Sequence, residues 1–151
     1  MDILTKEKRS WNMSRIRGKD TKPELIVRSF LHRSGIRFRI HAANLIGRPD
    51  IVLPKYKTVI FVHGCFWHCH KGCKYAYIPK SRKKFWSAKF KDNIARFDQV
   101  RKKLKKDSWR VVVIWECQVL NNSVKLKNML KIIKRDNEQY KGRVKKGHTT
   151  L

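Results

Sequence analysis

The sequence predicts an α/β fold, a mixed sheet flanked by helices, and three observations carry that prediction. Helical and strand periodicities alternate along the chain in the order helix, three strands, helix, strand, helix. The least interrupted apolar run, Trp109-Arg110-Val111-Val112-Val113-Ile114-Trp115, has the composition of a strand buried on both faces. Finally, 151 residues with 41% hydrophobic content suffice for one domain with a core and are too few for two ordinary ones.

Residues 1–19 are polar and basic, with Trp11, Met13 and Ile16 as isolated apolar points and no sustained period, which reads as an arm. Thr21-Lys22-Pro23-Glu24 then offers a capping box with proline tolerated in the first turn. Leu25, Ile26, Phe30 and Leu31 recur at helical spacing until Gly35 stops the helix. Ile36, Phe38 and Ile40 alternate with Arg37, Arg39 and His41, the pattern of a strand with one buried and one basic face. After a loop over 42–48, residues 50–53 and 58–62 are short β-branched runs on either side of Pro54-Lys55-Tyr56-Lys57, an antiparallel pair that His63 closes. Residues 64–84 lose all periodicity. Phe90, Ile94, Phe97 and Leu104 mark a helix over about 82–106 whose other faces are basic; 109–115 reads as the central buried strand, and about 124–140 as the last helix. The organisation expected is a basic arm (1–19), one domain (20–140) and a basic tail (141–151).

Charge selects the partner. Thirty-eight Lys+Arg against 11 Asp+Glu leave a formal +27 and a pI near 10.5, while 7 Phe, 5 Trp and 4 Tyr exclude a disordered basic tail. A folded surface this basic attracts phosphates, which favours nucleic acid over a membrane surface or a ribosomal setting. No apolar stretch approaches the ~20 residues that span a bilayer. The first residues lack the basic-then-apolar layout of a secretion signal, so the sequence reads as soluble and intracellular. In a reducing compartment, four cysteines clustered with histidines point to a metal instead of disulfides.

That cluster is His63-Gly64-Cys65-Phe66-Trp67-His68-Cys69-His70-Lys71-Gly72-Cys73, with Cys117 able to join if the end of the last strand lies beside the loop. Zinc favours such Cys/His donors and can order a loop that has no core of its own, and the number of thiolates argues for a closed, structural site. A second constellation is acidic: Asp50 at a strand start after Arg48-Pro49, Glu24 in the first helix, and His63 at a strand end, which together suit a hard cation such as Mg²⁺ beside a phosphate. A third is aromatic. Phe66-Trp67, and Phe85-Trp86 beside Arg82-Lys83-Lys84, could enter a base stack while the cations hold phosphates; the competing reading is core packing, which is expected for Phe85.

Met13-Ser14-Arg15-Ile16-Arg17-Gly18-Lys19-Asp20-Thr21, Glu24, Gly47-Arg48-Pro49-Asp50, His63-Gly64-Cys65-Phe66-Trp67-His68, Phe85-Trp86 and Trp115-Glu116-Cys117 resemble the very short patch repair (Vsr) mismatch endonucleases over about 12–119. The resemblance implies a restriction-endonuclease-like fold with a zinc-bound loop. It implies a DNA nick on the 5′ side of the thymine in a T·G mismatch, which starts repair of deaminated 5-methylcytosine, with catalytic Mg²⁺ and a separate structural Zn²⁺. By the same resemblance Asp50 is the Mg²⁺ ligand, Glu24 and His63 support it, and His68 transfers a proton. Cys65, His70, Cys73 and Cys117 hold zinc, leaving Cys69 spare. Phe66, Trp67 and Trp86 enter the DNA stack, Met13 approaches from the other groove, and Lys89 faces the mismatch. A monomer in the bacterial cytoplasm, working at the nucleoid on double-stranded DNA, is implied, with other mismatch-repair proteins as candidate partners.

Two departures from the family pattern bear on these assignments. His70-Lys71-Gly72-Cys73 is one residue longer than the usual His-x-Cys, which makes Cys69 the alternative to His70. Asn93-Ile94-Ala95-Arg96-Phe97-Asp98 puts Phe97 where the family has an acid, so either Asp98 takes that role or the role is absent.

Overall fold

The computed structural model describes residues 4–121 and 123–146, and side-chain environments for 4–121 and 124–135. Its elements are α1 (Lys6–Ser14), α2 (Lys22–Arg33), β1 (Ile51–Leu53), a 3₁₀ turn (Pro54–Tyr56), β2 (Thr58–His63), α3 (Lys83–Lys106), β3 (Arg110–Trp115), α4 (Glu116–Asn121) and α5 (Ser123–Lys146). The three strands lie in the order β1-β2-β3.

Antiparallel pairing of β1 with β2 places Ile51 opposite Ile60, and the chain reverses through the 3₁₀ turn and Lys57 in the left-handed region at φ 48°. The parallel pairing of β2 with β3, Thr58 opposite Arg110 through His63 opposite Trp115, is made by the crossover through α3. The sheet is therefore mixed, as expected, but its centre is β2. The run at 109–115 is an edge strand, and its apolar continuity comes from helices on both faces instead of strands on both sides.

Those two faces follow the two-residue period of a strand. Ile51, Leu53, Ile60 and Ile114 point to one side, where they pack with Val27 and Leu31 of α2, Val119 of α4, and Leu126, Met129 and Ile133 of α5. Val52, Val59 and Phe61 point to the other side, against Leu104 and the partly buried Phe97 and Val100 of α3.

Several local expectations change. In α2 Val27 joins Leu31 in the buried core, Ile26 and Phe30 pack against it partly buried, and Leu25 alone of the expected face is half exposed. Gly35, at φ 74°, does end the helix, and the Ile36 amide donates to Leu31 O. The expected strand over 36–40 shrinks to a single bridge between Arg39 and Val52; Ile36 turns into the core and His41, at φ 54°, breaks the extension. The arm contains a helix, α1, capped by the Thr5 hydroxyl and burying none of its side chains. In α3 the buried residues are Phe90 and Leu104, while Ile94 is half exposed. At the other end α5 runs to Lys146, past the expected start of the basic tail at 141; residues 147–151 lie outside the described residues. Among the described residues, no helix is long and apolar enough to cross a membrane.

Candidate active site and metal centre

Because β1 is antiparallel to β2, its first residue lies beside the carboxyl end of β2, and β3 ends at the same edge through its parallel pairing. Chemistry-bearing residues at those strand ends thus share one crevice. A cleft of about 790 Å³ opens there, and Glu24, Asp50, His63, His68 and Trp67 all line it, together with Arg17, Arg48, Asn93, Arg96 and Glu116.

Asp50 is fixed by the sheet. Its Oδ2 accepts the Val62 amide at 2.7 Å, an amide that β1 is too short to engage, while the carboxylate still lines the cleft. The preceding loop is pressed onto α3: at Gly47, φ 76°, an added Cβ would overlap the Val100 side chain, so only glycine brings Asp50 this close to the helix. Burial pushes the Asp50 carboxyl up to about 6 against the pull of the Val62 amide, and the Glu24 charge adds to the rise.

Glu24 is 4% exposed and accepts three hydrogen bonds. The Thr21 hydroxyl donates to Oε1 at 3.0 Å, and the Asp20 amide and Arg28 Nη2 donate to Oε2 at 2.9 and 3.2 Å. The expected capping box is thereby altered, since the Thr21 hydroxyl is directed to the Glu24 carboxylate and makes no cap bond to the helix backbone.

The two cleft histidines form one unit. His63 at the end of β2 and His68 in the following turn stack at 3.7 Å with rings 8° from parallel, and Phe97 and Trp115 meet His63 edge-on at 4.3 and 5.3 Å. Burial lowers both from the usual imidazole value, His63 to about 3, so His63 is uncharged at neutral pH and the charged form of His68 is disfavoured in the same way. Uncharged rings can also stack without repulsion.

On the other side of Trp115 lies the sulfur cluster. Cys65, His70, Cys73 and Cys117 each offer one donor atom, all within 4.8 Å of one another. Cys65 Sγ and Cys117 Sγ lie 3.6 and 3.3 Å from His70 Nδ1. A tetrahedral zinc site with bonds of about 2.3 Å to sulfur and about 2.0 Å to nitrogen has S···N edges of about 3.5 Å, so the donor set fits zinc in both chemistry and spacing. Burial pushes the Cys65 thiol up to about 12, an unfavourable setting for a thiolate that a bound cation would reverse. The group contains His70 and omits Cys69, which sits in the left-handed region at φ 49° within the turn.

Phe66, Trp67 and Trp86 are half-buried, packed on one another at 5.1–5.9 Å over the buried Phe90. The Asn93 amide group holds this cluster by donating to Trp67 O at 3.0 Å. Phe85 is 47% exposed with the Arg82 guanidinium 4.4 Å over its ring, so it is a surface residue and not the core residue expected; the first turn of α3 turns it away from the sheet. Lys89 is exposed on α3 one turn beyond Trp86, and Met13 is half exposed on α1. Asp98 is not brought to the cleft. It pairs with Lys102 and Arg101 at 2.9 and 3.0 Å on the surface of α3, and those hydrogen bonds hold its carboxyl below the usual range.

Three more residues, with no role expected from the sequence, shape the site. Trp115 stacks on the His70 ring at 4.1 Å and 6°, so one indole separates the sulfur cluster from His63. Glu116 accepts the Cys65 amide at 3.4 Å while lining the cleft, and Arg28 grips Glu24. For the first two the available signal was their place between a buried strand and Cys117. For Arg28 it was the spacing of four from Glu24 on a helix.

Comparison with known proteins agrees with this arrangement. Residues 1–74 match the family model described as DNA mismatch endonuclease Vsr. The chain is 48% identical over 118 residues to the type II nicking enzyme V.XorIIP of Xanthomonas oryzae pv. oryzae, covering 78% of this chain and 86% of that one. It is 46% identical over 123 residues to the type II nicking enzyme V.NmeAIP of Neisseria meningitidis, covering 82% and 87%. It is 41% identical over 116 residues to the DNA mismatch endonuclease Vsr of Escherichia coli K12, covering 77% and 74%.

Proposed function

The chain belongs to the Vsr family of restriction-endonuclease-like DNA mismatch endonucleases, and from that premise we propose that it uses Mg²⁺ to nick one strand on the 5′ side of the thymine in a T·G mismatch. This would begin short-patch repair of deaminated 5-methylcytosine. The observation that supports the reading most directly is the single cleft lined by Asp50, Glu24, His63, His68 and Trp67 in a chain of charge +27.

Asp50 is the residue to hold Mg²⁺: it is a hard oxygen donor held rigid through Oδ2, and it sits beside the second acid, Glu24. Bound there, Mg²⁺ would offset the charge that builds on the pentavalent phosphorus. His68 is the proton carrier, its charged form disfavoured by burial and its ring oriented by the stack on His63. His63, more deeply lodged between Phe97 and Trp115, keeps the pair in place.

Zinc held by Cys65, His70, Cys73 and Cys117 would clamp the loop after β2 to the first turn of α4, just after β3, and so brace His68 and the aromatic cluster. Phe66, Trp67 and Trp86 are the wedge, Lys89 a phosphate or base contact beside it, and Met13 on α1 the approach from the opposite groove. A T·G wobble step stacks and pairs less well than its neighbours, so opening it costs less than opening a matched step. Mismatch preference then follows from deformability together with contacts to the wobble edges.

The test is an end-labelled duplex panel, matched or carrying one T·G pair, incubated with Mg²⁺ and quenched with EDTA. The expected product is a single nick 5′ of the mismatched thymine, with the matched duplex intact. Equal cutting of both duplexes would show a nuclease blind to mismatches, and binding with no nick would show a zinc-stabilised DNA-binding module.

A further inference from the structure

We propose that Arg28 is a positioning residue for strand nicking: its guanidinium holds the Glu24 carboxylate at the wall of the cleft by bridging it to Asp20. The inference rests on the reading of Glu24 as a supporting residue of the nicking reaction.

The geometry is a closed ring of three residues. Arg28 Nη1 donates to Asp20 Oδ1 at 2.7 Å and Nη2 donates to Glu24 Oε2 at 3.2 Å. The same Oε2 accepts the Asp20 backbone amide at 2.9 Å, which closes the circuit. Two planar contacts from one rigid fork fix both the place and the rotation of what they hold, which a single flexible ammonium cannot do. The Arg28 side chain is 12% exposed, and its Nε is buried with no acceptor among the described residues. The side chain therefore forgoes one hydrogen bond, and its orientation is set by the two carboxylates it spans.

Electrostatics explain why a clamp is needed. Glu24 and Asp50 line the same cleft, and the Glu24 charge acts unfavourably on the Asp50 carboxylate while the Arg28 charge acts favourably. Without a counter-charge behind it, a buried Glu24 would be pushed away from Asp50 toward solvent. Arg28 does not itself line the cleft, so apart from its charge acting on Asp50 it reaches the reaction through the residues it holds. Asp20 adds a second anchor. It sits in the left-handed region at φ 55°, and His41, from the loop leading to Asp50, approaches the same Oδ1 at 3.5 Å.

The experiment is a double-mutant cycle on the full-length protein, measuring the single-turnover nicking rate and the dissociation constant for a T·G duplex with Mg²⁺ present. Arg28→Ala is expected to slow nicking about tenfold while duplex affinity changes less than about twofold. In a Glu24→Gln background the Arg28→Ala change is expected to add less than about twofold, because the group it positions has already been disabled. Arg28→Lys, which keeps the charge and the aliphatic stem but cannot span both acids, covers the case in which Arg28→Ala fails to fold; it is expected to lose about three- to tenfold in rate at an unchanged melting temperature. Multiplicative losses in the cycle, or a folded Arg28→Lys protein nicking at the parent rate, overturn the proposal while leaving the role of Glu24 intact. Full-rate nicking by Glu24→Gln alone overturns both readings.

Discussion

Replacing Asp50 with asparagine should make the protein more stable and inactive at once. Burial is the main reason the Asp50 carboxyl rises from its ordinary 3.8 to about 6. At about 1.4 kcal/mol per tenfold change in an ionisation constant, ionising this group in the fold costs about 3 kcal/mol at pH 8. A carboxyl whose folded value lies above its unfolded value destabilises the fold when ionised. The penalty is thus complete above about pH 6 and gone below about pH 4. Asparagine still offers an acceptor to the Val62 amide, now 2.7 Å from Oδ2, but loses the charge assistance, which returns about 1 kcal/mol of the gain. A net of about 2 kcal/mol corresponds to a melting temperature about 4–8 °C higher for a chain of this size. The assay is thermal unfolding of Asp50→Asn and parent protein without added Mg²⁺ at pH 8 and pH 4, beside a nicking assay with Mg²⁺. An asparagine variant that melts no higher than the parent at pH 8, or whose advantage persists at pH 4, refutes the burial argument. One that nicks at the parental rate refutes the assignment of Asp50.

Two further outcomes test the framework around the cleft. Cys117→Ser is expected to lose bound zinc and melt several degrees lower, whereas Cys69→Ser keeps its zinc and its melting temperature; metal content measured on the purified variants checks both, and zinc loss from Cys69→Ser would reverse the choice of His70 as ligand. Gly47→Ala is expected to cost about 2 kcal/mol or more, from the left-handed backbone and the overlap with Val100. Its nicking rate should fall as well, because the loop carries Asp50; denaturant unfolding and the duplex assay read the two effects separately.

Elements with a strong period of their own were legible before any tertiary contact: α2 with its proline start and Gly35 stop, the β1–β2 pair, α3, and the length of β3. What misled was the position of an element among its neighbours. Val111-Val112-Val113-Ile114 reads as central because both faces are apolar, yet β3 has one strand partner and is covered by helices on each side. Ile36, Phe38 and Ile40 alternate like a strand, but only Arg39 reaches a partner, and a ladder needs that partner along its length. Phe85 and Phe90 look alike in sequence; they lie on different sides of α3, one exposed and the other buried against Phe66 and Trp86.

The chain by itself determined the donor chemistry, four thiols and the histidines around them, the basic surface, and which acids stand at strand starts and helix starts, because these are properties of residue type and local spacing. Only the tertiary structure decided that Cys117 meets Cys65 across 52 positions, that His70 and not Cys69 completes the group, that Asp98 stays on the surface, and that Arg28 ties Asp20 to Glu24. Such meetings depend on how the β2–α3–β3 crossover folds back on the sheet and on how α2 docks against it. That geometry is set by packing the whole core and leaves no period in the sequence.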